Sequence, residues 1–411
     1  MSERRRALMI SPEFPYPPTS GGRQRSFHVL GALAKFYEID LLTFAEHPRF
    51  EEQETLERLC AHVHVVPLPH HSKSPAAFLW RNLSRAIRGV NPLIDRFSDP
   101  PVRQGVREWL HAHDYELILV EHSWIAHHIT EIKASPNRGA LTVLDAHNIE
   151  SDLWQQYFHQ PSQWWYKPAL YRYWQSAREY EQRYLNQFDL VLAVSESDAK
   201  RIERLAPDTS VAVIPNGIEI HQHDVNLDSG DRSPVVGFIG SLEYLPNELG
   251  LQWFLTDVWP QVKSRVYDAQ LLIIGQGESK KLVQLCRTDE SIRLAGYVPS
   301  LAPHLNRIAV MIVPLWHGSG TRIKILEAWA NGIAVVSTSR GAEGLDYTHM
   351  QNIWIADNAA DFVTAVVYLL SDKETRDRLS WAARQLVQKY AWPVIEGQLR
   401  AALGNHQSVR I

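Results

Sequence analysis

Cysteine is nearly absent from these 411 residues: Cys60 and Cys286 stand far apart and outside any CxxC spacing. That excludes a disulfide framework and a thiolate zinc site, and it fits a reducing compartment. Long apolar runs are missing too. No window approaches about 18 continuous apolar residues, so no membrane-spanning helix is expected. The opening MSERRRALMISPEFPYPP has a basic tip but no apolar core of signal-peptide length before its prolines, and a cytoplasmic location is the expectation. A basic excess is lacking, since the formal net charge is -4, and with it the footprint of a general nucleic-acid binder. There is no fixed-period repeat and no long charge block. No DxD signature and no histidine-carboxylate metal spacing occur, so neither a metal nor another cofactor is expected. Nor does SPEFPYPPTSGG supply the GxGxxG that an NAD-dependent oxidoreductase would place between its first strand and helix.

What is present is an α/β pattern. Apolar residues make up 45% of the chain, enough for two domains with separate cores. Short runs recur at 7–10, 39–44, 63–66, 117–120, 142–144, 190–194 and 211–214, with helix-length segments between most of them. Runs of this kind without strict alternation predict strands buried on both faces, as in parallel sheets. After Pro215, Asn216 and Gly217 comes a polar stretch, and the pattern restarts at 235–240, then at 270–274, 292–295, 310–313, 334–337 and 353–355. The sequence therefore predicts two doubly wound Rossmann-like domains facing across a cleft: residues 1–215, a linker at 216–234, and residues 235–390. Ligands of such folds bind beyond the carboxyl ends of the strands.

The densest chemistry lies between Val310 and Leu345, VMIVPLWHGSGTRIKILEAWANGIAVVSTSRGAEGL. An apolar strand opens into a loop with Gly318 and Gly320, which delivers Thr321, Arg322 and Lys324 to the start of a helix carrying Glu327 one turn on. Free N–H groups, the positive end of the helix dipole and two cations suit a diphosphate, and the carboxylate suits a sugar hydroxyl. An ordinary strand-loop-helix unit with surface basic residues stands as the alternative. Two other segments have helical period. From Ala169 to Phe188, Leu170, Tyr173, Trp174, Ala177, Tyr180, Tyr184 and Phe188 form an aromatic stripe that reads as core, while Trp154, Trp164 and Trp165 are less periodic candidates for an acceptor groove. At 75–89, Phe78, Leu79, Leu83 and Ile87 alternate with Arg81, Arg85 and Arg88. That stretch is either a surface helix with its apolar face turned inward or a peripheral contact with the inner face of an anionic membrane.

Taken in order, SPEFPYPPTSGGRQR, DAHNIES, DLVLAVSESDAKRI, VIPNGIE, FIGSLEYLPNELG, LAGYVPSL and GSGTRIKILEAWANGIAVVSTSRGAEGL resemble the retaining glycosyltransferases of family 4, which have the two-domain GT-B fold. The nearest flavour is the bacterial sugar transferases of exopolysaccharide clusters. The resemblance spans nearly the whole chain and is most specific in the carboxyl-terminal half. It implies transfer of a sugar from a nucleoside-diphosphate sugar, UDP- or GDP-linked, to a hydroxyl of a saccharide or lipid-linked acceptor in polysaccharide or glycolipid synthesis. It also implies that residues 391–411 form a terminal helix crossing back to the first domain. A nucleotide-sugar epimerase or hydrolase on the same fold, or an inactive nucleotide-sugar-binding scaffold, are the rival readings.

Residue by residue, the resemblance assigns Glu327, the second glutamate of the family's E-x7-E motif, to the donor ribose. Ser319 stands where the first glutamate would be, so His317, Ser319 and the N–H groups of Gly318 and Gly320 become the candidates for the donor sugar. On the loop that begins at Gly240, Ser241 and Asn247 stand where many relatives carry an arginine and a lysine. The diphosphate charge is thus expected to fall to Arg322 and Lys324. Gly21 and Gly22 match the family's amino-terminal glycine loop, beside which Arg23 and Arg25 either add charge or solvate a helix start. Tyr297 and Val298 match the segment that cradles the base, and Glu343 with Leu345 a loop near the donor. His122 matches a histidine near the transferring sugar, His147 and Asn148 line the acceptor side, and Asp145 orients that loop. The implied mechanism is metal-independent attack by the acceptor on the face that the phosphate leaves, with Arg322, Lys324 and His122 as the catalytic set.

Overall fold

The structure, a computed structural model, describes residues 5–46, 50–70, 74–159, 166–220, 233–277, 279–318 and 320–408. Two compact units emerge: residues 1–215 together with 396–411, and residues 216–395.

The first unit runs β1 (Arg6–Ser11), α1 (Gly21–Ala34), β2 (Glu38–Ala45), α2 (Phe50–Glu57), β3 (His62–Pro67), α3 (Pro75–Arg88), α4 (Pro92–Phe97), α5 (Pro100–Ala112), β4 (Leu117–Glu121), α6 (Ile129–Lys133), β5 (Leu141–Ala146), α7 (Glu150–His159), α8 (Lys167–Leu185), β6 (Leu190–Ala193), α9 (Glu196–Leu205) and β7 (Ser210–Val213). The second runs β8 (Val235–Ile239), α10 (Leu245–Trp253), α11 (Trp259–Arg265), β9 (Gln270–Ile274), α12 (Lys280–Arg287), β10 (Ile292–Gly296), α13 (Ala302–Leu305), β11 (Val310–Val313), α14 (Ile323–Ala330), β12 (Ala334–Ser337), β13 (Trp354–Ile355), α15 (Ala359–Ser371) and α16 (Lys373–Val387). The last helix, α17 (Trp392–Ser408), begins in the second unit and continues in the first, where Lys35 pairs with Glu396 and Arg400 lies over Phe36.

Both sheets are parallel and of the Rossmann order, β3-β2-β1-β4-β5-β6-β7 and β10-β9-β8-β11-β12-β13. Each strand predicted from an apolar run is present. The reason the runs do not alternate is visible in the second unit. Val236, Phe238, Ile273 and Ile312 point into one core with Phe254, Trp259 and Phe362, while Val235, Ile239, Ile274 and Met311 point into another with Ile325, Trp329 and Val387. Side chains alternate across a strand with period two, and here both sides are covered by helices, so both sets must be apolar. The strand order reverses between β1 and β4 and between β8 and β11, which opens a crevice beyond the carboxyl ends of those strands in each unit.

Two helical expectations are modified. The aromatic stripe of α8 divides: Tyr180 and Tyr184 pack on the core, and Phe188 is buried just beyond the helix, whereas Tyr173 packs against Trp154 and Trp174 against Phe158, and Tyr171 is exposed. Trp164 and Trp165 lie outside the described residues. Helix α3 is turned the other way from an inward-facing apolar helix. Leu79, Trp80, Leu83 and Ile87 are 70%, 73%, 49% and 62% exposed, and Arg85 is the buried member, its Nε 2.8 Å from Asp95. An arginine seated on a carboxylate of the following helix fixes the rotation of α3 and leaves its apolar side to solvent. Arg85 is therefore not part of a basic surface, and Arg88 also reaches Asp95 at 3.2 Å. Among the described residues, no helix is long and apolar enough to cross a membrane.

Candidate functional site

In the second unit the loop from Pro314 to Thr321 leaves β11 and turns into α14. Gly318 and Gly320 have φ of 120° and 73°, a region costly for residues with a Cβ, so the loop can make this turn with glycine. Thr321 is buried and its hydroxyl accepts a 2.7 Å bond from the Asn216 amide. Asn216, the first residue of the expected linker, thus anchors the loop, and Gly217 lies so close under Trp392 that a Cβ would sit 2.3 Å from the ring. Arg322 occupies the N-cap position of α14 with φ −92° and ψ 94°, buried, and donates from Nη1 to the carbonyl of Gly320 at 2.7 Å.

Lys324, in the first turn, places its ammonium 4.3 Å above the Phe238 ring and donates to Asn247 Oδ1 at 2.9 Å. Asn247 in turn donates to the carbonyl of Ser241 at 2.8 Å. Gly240, at the end of β8, makes room for this arrangement: a Cβ there would stand 2.7 Å from both Lys324 Nζ and Asn247 Nδ2. Burial pushes the Lys324 ammonium down to a pKa of about 7, Arg322 adds to the shift, and Glu327 opposes it. Two cations pressed together at the positive end of a helix, in a first turn that carries no acid, form a site suited to an anion with more than one charge. Glu327 stands half-buried one turn further along.

The remaining second-unit candidates occupy flanking loops. His317 is half-buried, and burial with the nearby Arg340 lowers its pKa. Glu343 pairs with Arg340 at 2.6 Å on the loop after β12, the strand next to β11, and Leu345 is buried behind it. Tyr297 is exposed just beyond β10, and Val298 packs on the core below; β9 and β8 separate their strand from β11. Ser319 lies outside the described residues.

In the first unit the ends of β4 and β5 carry two histidines whose ring centroids are 3.8 Å apart, His122 and His147. His122 has φ 65°, unusual for a residue with a side chain, and its ring stacks on Trp124 at 4.4 Å. A Cβ on Gly22 would meet both rings at 3.8 Å, so the start of α1, where Gly21 follows the N-cap Ser20, faces the pair. His147 Nε2 lies 3.5 Å from Asp145 Oδ2 and 3.6 Å from Glu121 Oε1. Arg25, fully buried, grips Asp145 with bonds of 2.7 and 2.8 Å and donates to the carbonyls of Ile214 and Pro215. Arg25 is therefore a buried structural cation rather than a solvating one, and Arg23 pairs with Glu13 at 2.8 Å. Asn148 sits on the same loop, its carbonyl 3.4 Å from the Ser123 hydroxyl.

The electrostatics divide the histidines. The two carboxylates overcome burial and push His147 up to about 9, while burial and the neighbouring His147 hold His122 well below its usual value. Glu121, Asp145 and His147 are the described residues whose ligand atoms lie close enough together, within 4.8 Å, to surround a cation. With the Arg25 guanidinium already on Asp145 and His147 charged, they are better described as an ion-pair cluster. Glu121 was missed as a site residue, and Arg25 and Asn247 were noted in the sequence without the partners the structure gives them, Asp145 and Lys324. A carboxylate closing the apolar run LILVE was the one available signal for Glu121.

Fold and site together define a two-domain, Rossmann-type protein with an anion-suited loop at the crevice of its second sheet. Two family models match in succession, Glycosyltransferase Family 4 over residues 20–222 and Glycosyl transferases group 1 over residues 233–372. The chain belongs to glycosyltransferase family 4, with the GT-B domain pair. It is similar to an uncharacterized 44.6 kDa protein in the cps region of Klebsiella pneumoniae, 24% identical over 93% of this chain and 95% of that one. It is also 28% identical to the phosphatidyl-myo-inositol mannosyltransferase of Mycobacterium tuberculosis, over 51% of this chain and 57% of the relative's length. Among solved structures, sucrose-phosphate synthase from Thermosynechococcus elongatus aligns over 99% of this chain and 100% of that one, with a TM-score of 0.72 at 16% identity. Anabaena HepE in complex with UDP and glucose aligns over 98% and 100%, with a TM-score of 0.67 at 14% identity. At these identities the solved structures speak for the fold alone.

Proposed function

We propose that the protein is a retaining glycosyltransferase that moves a sugar from a UDP- or GDP-sugar to a hydroxyl of a saccharide or lipid-linked acceptor, without a metal, in polysaccharide or glycolipid synthesis. The observation that carries this reading is the pairing of Arg322 and Lys324 at the glycine-turned start of α14. A solved relative in fold, HepE, was crystallised with UDP-glucose, and the Klebsiella relative is described from a cps region, which supports the donor class and the polysaccharide setting.

In the proposed reaction the bond between the sugar C1 and the phosphate oxygen breaks while the acceptor oxygen bonds C1 from the same face. The acceptor proton passes to the departing phosphate oxygen. Negative charge gathers on the diphosphate as this happens, and fixed donors aimed at it stabilise the transition state more than the ground state. Arg322, Lys324 and the N–H groups at the start of α14 supply that field. Glu327 accepts from the ribose hydroxyls, and His122 stands beside the transferring sugar. A calorimetric screen against UDP, GDP, ADP and their sugar conjugates, with EDTA present, tests the donor claim. Selective binding is expected; silence from folded protein favours an inactive scaffold, and turnover of donor without acceptor favours an epimerase or hydrolase.

Contact with an anionic membrane through residues 75–89 is part of the same proposal, in altered form. The exposed Leu79, Trp80, Leu83 and Ile87 would enter the interface, while Arg85, seated on Asp95, would not face lipid headgroups. Liposome cosedimentation should fall when Trp80 and Leu83 become serine, and unchanged binding would remove the membrane contact.

A further inference from the structure

We propose that Glu121 is a positioning residue: with Asp145 it holds His147 as an imidazolium, and that fixed charge keeps the adjacent His122 neutral toward the ligand. The inference rests on the reading of His122 and His147 as groups beside the reacting sugar and acceptor.

Glu121 is the last residue of β4 and is fully buried, and among the described residues neither of its carboxylate oxygens has a hydrogen-bond partner within 3.5 Å. A buried carboxylate without a counterpart is costly, so a nearby cation must account for it. The register of the sheet sets Glu121 opposite Asp145. Asp145 is already gripped in a bidentate fashion by Arg25, which leaves His147, 3.6 Å from Glu121, as its cation. The cluster then holds two carboxylates against two cations and is balanced.

Removing the Glu121 charge would leave His147 to share Asp145 with the guanidinium. His147 would lose its proton more readily, and His122, 3.8 Å away, would gain one more readily. The groups that face this pair are Arg25 from α1, Glu121 from β4 and Asp145 from β5, whereas the buried Glu150 of α7 is set against Glu181 of α8. The shifts described above agree in direction with this geometry. A neutral His122 offers a ligand both a donor and an acceptor nitrogen, and its left-handed backbone keeps the ring at the start of α1.

Histidine-ring NMR titration of the full chain tests the assignment, with His122→Asn and His147→Asn used to identify the signals. In the native protein neither ring should titrate between pH 6 and 8, His147 remaining charged and His122 neutral. Glu121→Gln should lower the His147 midpoint by at least about one unit and raise that of His122, with Glu121→Asp intermediate. A folded Gln variant with both midpoints unmoved would overturn the proposal; should that variant fail to fold, the Asp variant carries the same readout. Zinc titration gives a second route to refutation, because a stoichiometric site lost in Glu121→Gln would make a metal the partner of Glu121. The NMR outcome is independent of turnover. An intact titration pattern in a protein that transfers no sugar would sink the transferase reading and leave the role of Glu121 in holding the two charges standing.

Discussion

With Lys324 placed against the phosphates as proposed, ligand binding should be a proton-linked event. The Lys324 ammonium is enclosed by Phe238, Asn247 and Arg322, and its pKa near 7 leaves it largely neutral in the free protein at alkaline pH. A diphosphate beside it would restore the proton. The charged fraction of a group with a pKa of 7 falls about eightfold between pH 7.5 and 8.5, so nucleoside-diphosphate affinity should fall by about the same factor, roughly 1.2 kcal/mol. Above pH 7.5 the terminal phosphate is already ionised, so the ligand itself adds little to this slope. Calorimetry in two buffers of different ionisation heat, at pH 8.5, should show uptake of about one proton per ligand bound. Lys324→Met should bind weakly, with a flat pH dependence and no uptake. A native protein that takes up no proton, with affinity constant across the window, would refute the placement of Lys324 against the phosphates.

Three further outcomes follow from the geometry. Gly240→Ala should weaken nucleotide binding about as much as loss of the Lys324 bond, because its Cβ displaces Lys324 and Asn247; equal affinity by calorimetry would contradict this. Arg25→Met should lower stability by about 3 to 5 kcal/mol by leaving the buried Asp145 and Glu121 to share one cation, His147, read as the midpoint of urea unfolding. The Glu150 and Glu181 carboxyls are pushed up by burial to about 7 and about 8. Because their folded pKa values are raised, the stability they contribute is full below about pH 4.5 and is lost as pH rises toward 8. The difference in unfolding free energy between Glu150→Gln and the native protein should therefore grow by at least about 1.4 kcal/mol from pH 5 to 8, and a constant difference would contradict the shift.

The central strands were legible because they are buried on both faces, which leaves an apolar run bounded by turn residues that needs no partner to be recognised; the edge strands β3, β7, β10 and β13 are only partly buried but keep enough apolar residues to show. The loop from Gly318 to Glu327 was legible for a related reason: glycine, cation and helix start are neighbours in sequence. The charge cluster of the first unit was not, since Arg25 and Asp145 are 120 positions apart and only the sheet brings them together. The contact between Lys324 and Asn247, 77 positions apart, escaped for the same reason. The 75–89 stretch shows a different limit. Its amphipathic period announces a helix with two unlike faces, but which face turns inward was decided by Asp95 on the next helix, where Arg85 finds its partner.

The most direct test of the central claim is the affinity of the native protein, Arg322→Ala and Lys324→Ala for the nucleoside diphosphate that binds, measured by calorimetry with EDTA present. Each substitution is expected to weaken binding by roughly 1.5 to 3 kcal/mol, the range for a lost charge-assisted bond, while the fold stays intact by circular dichroism. Unchanged affinity in both variants would contradict the assignment of this loop to the donor diphosphate.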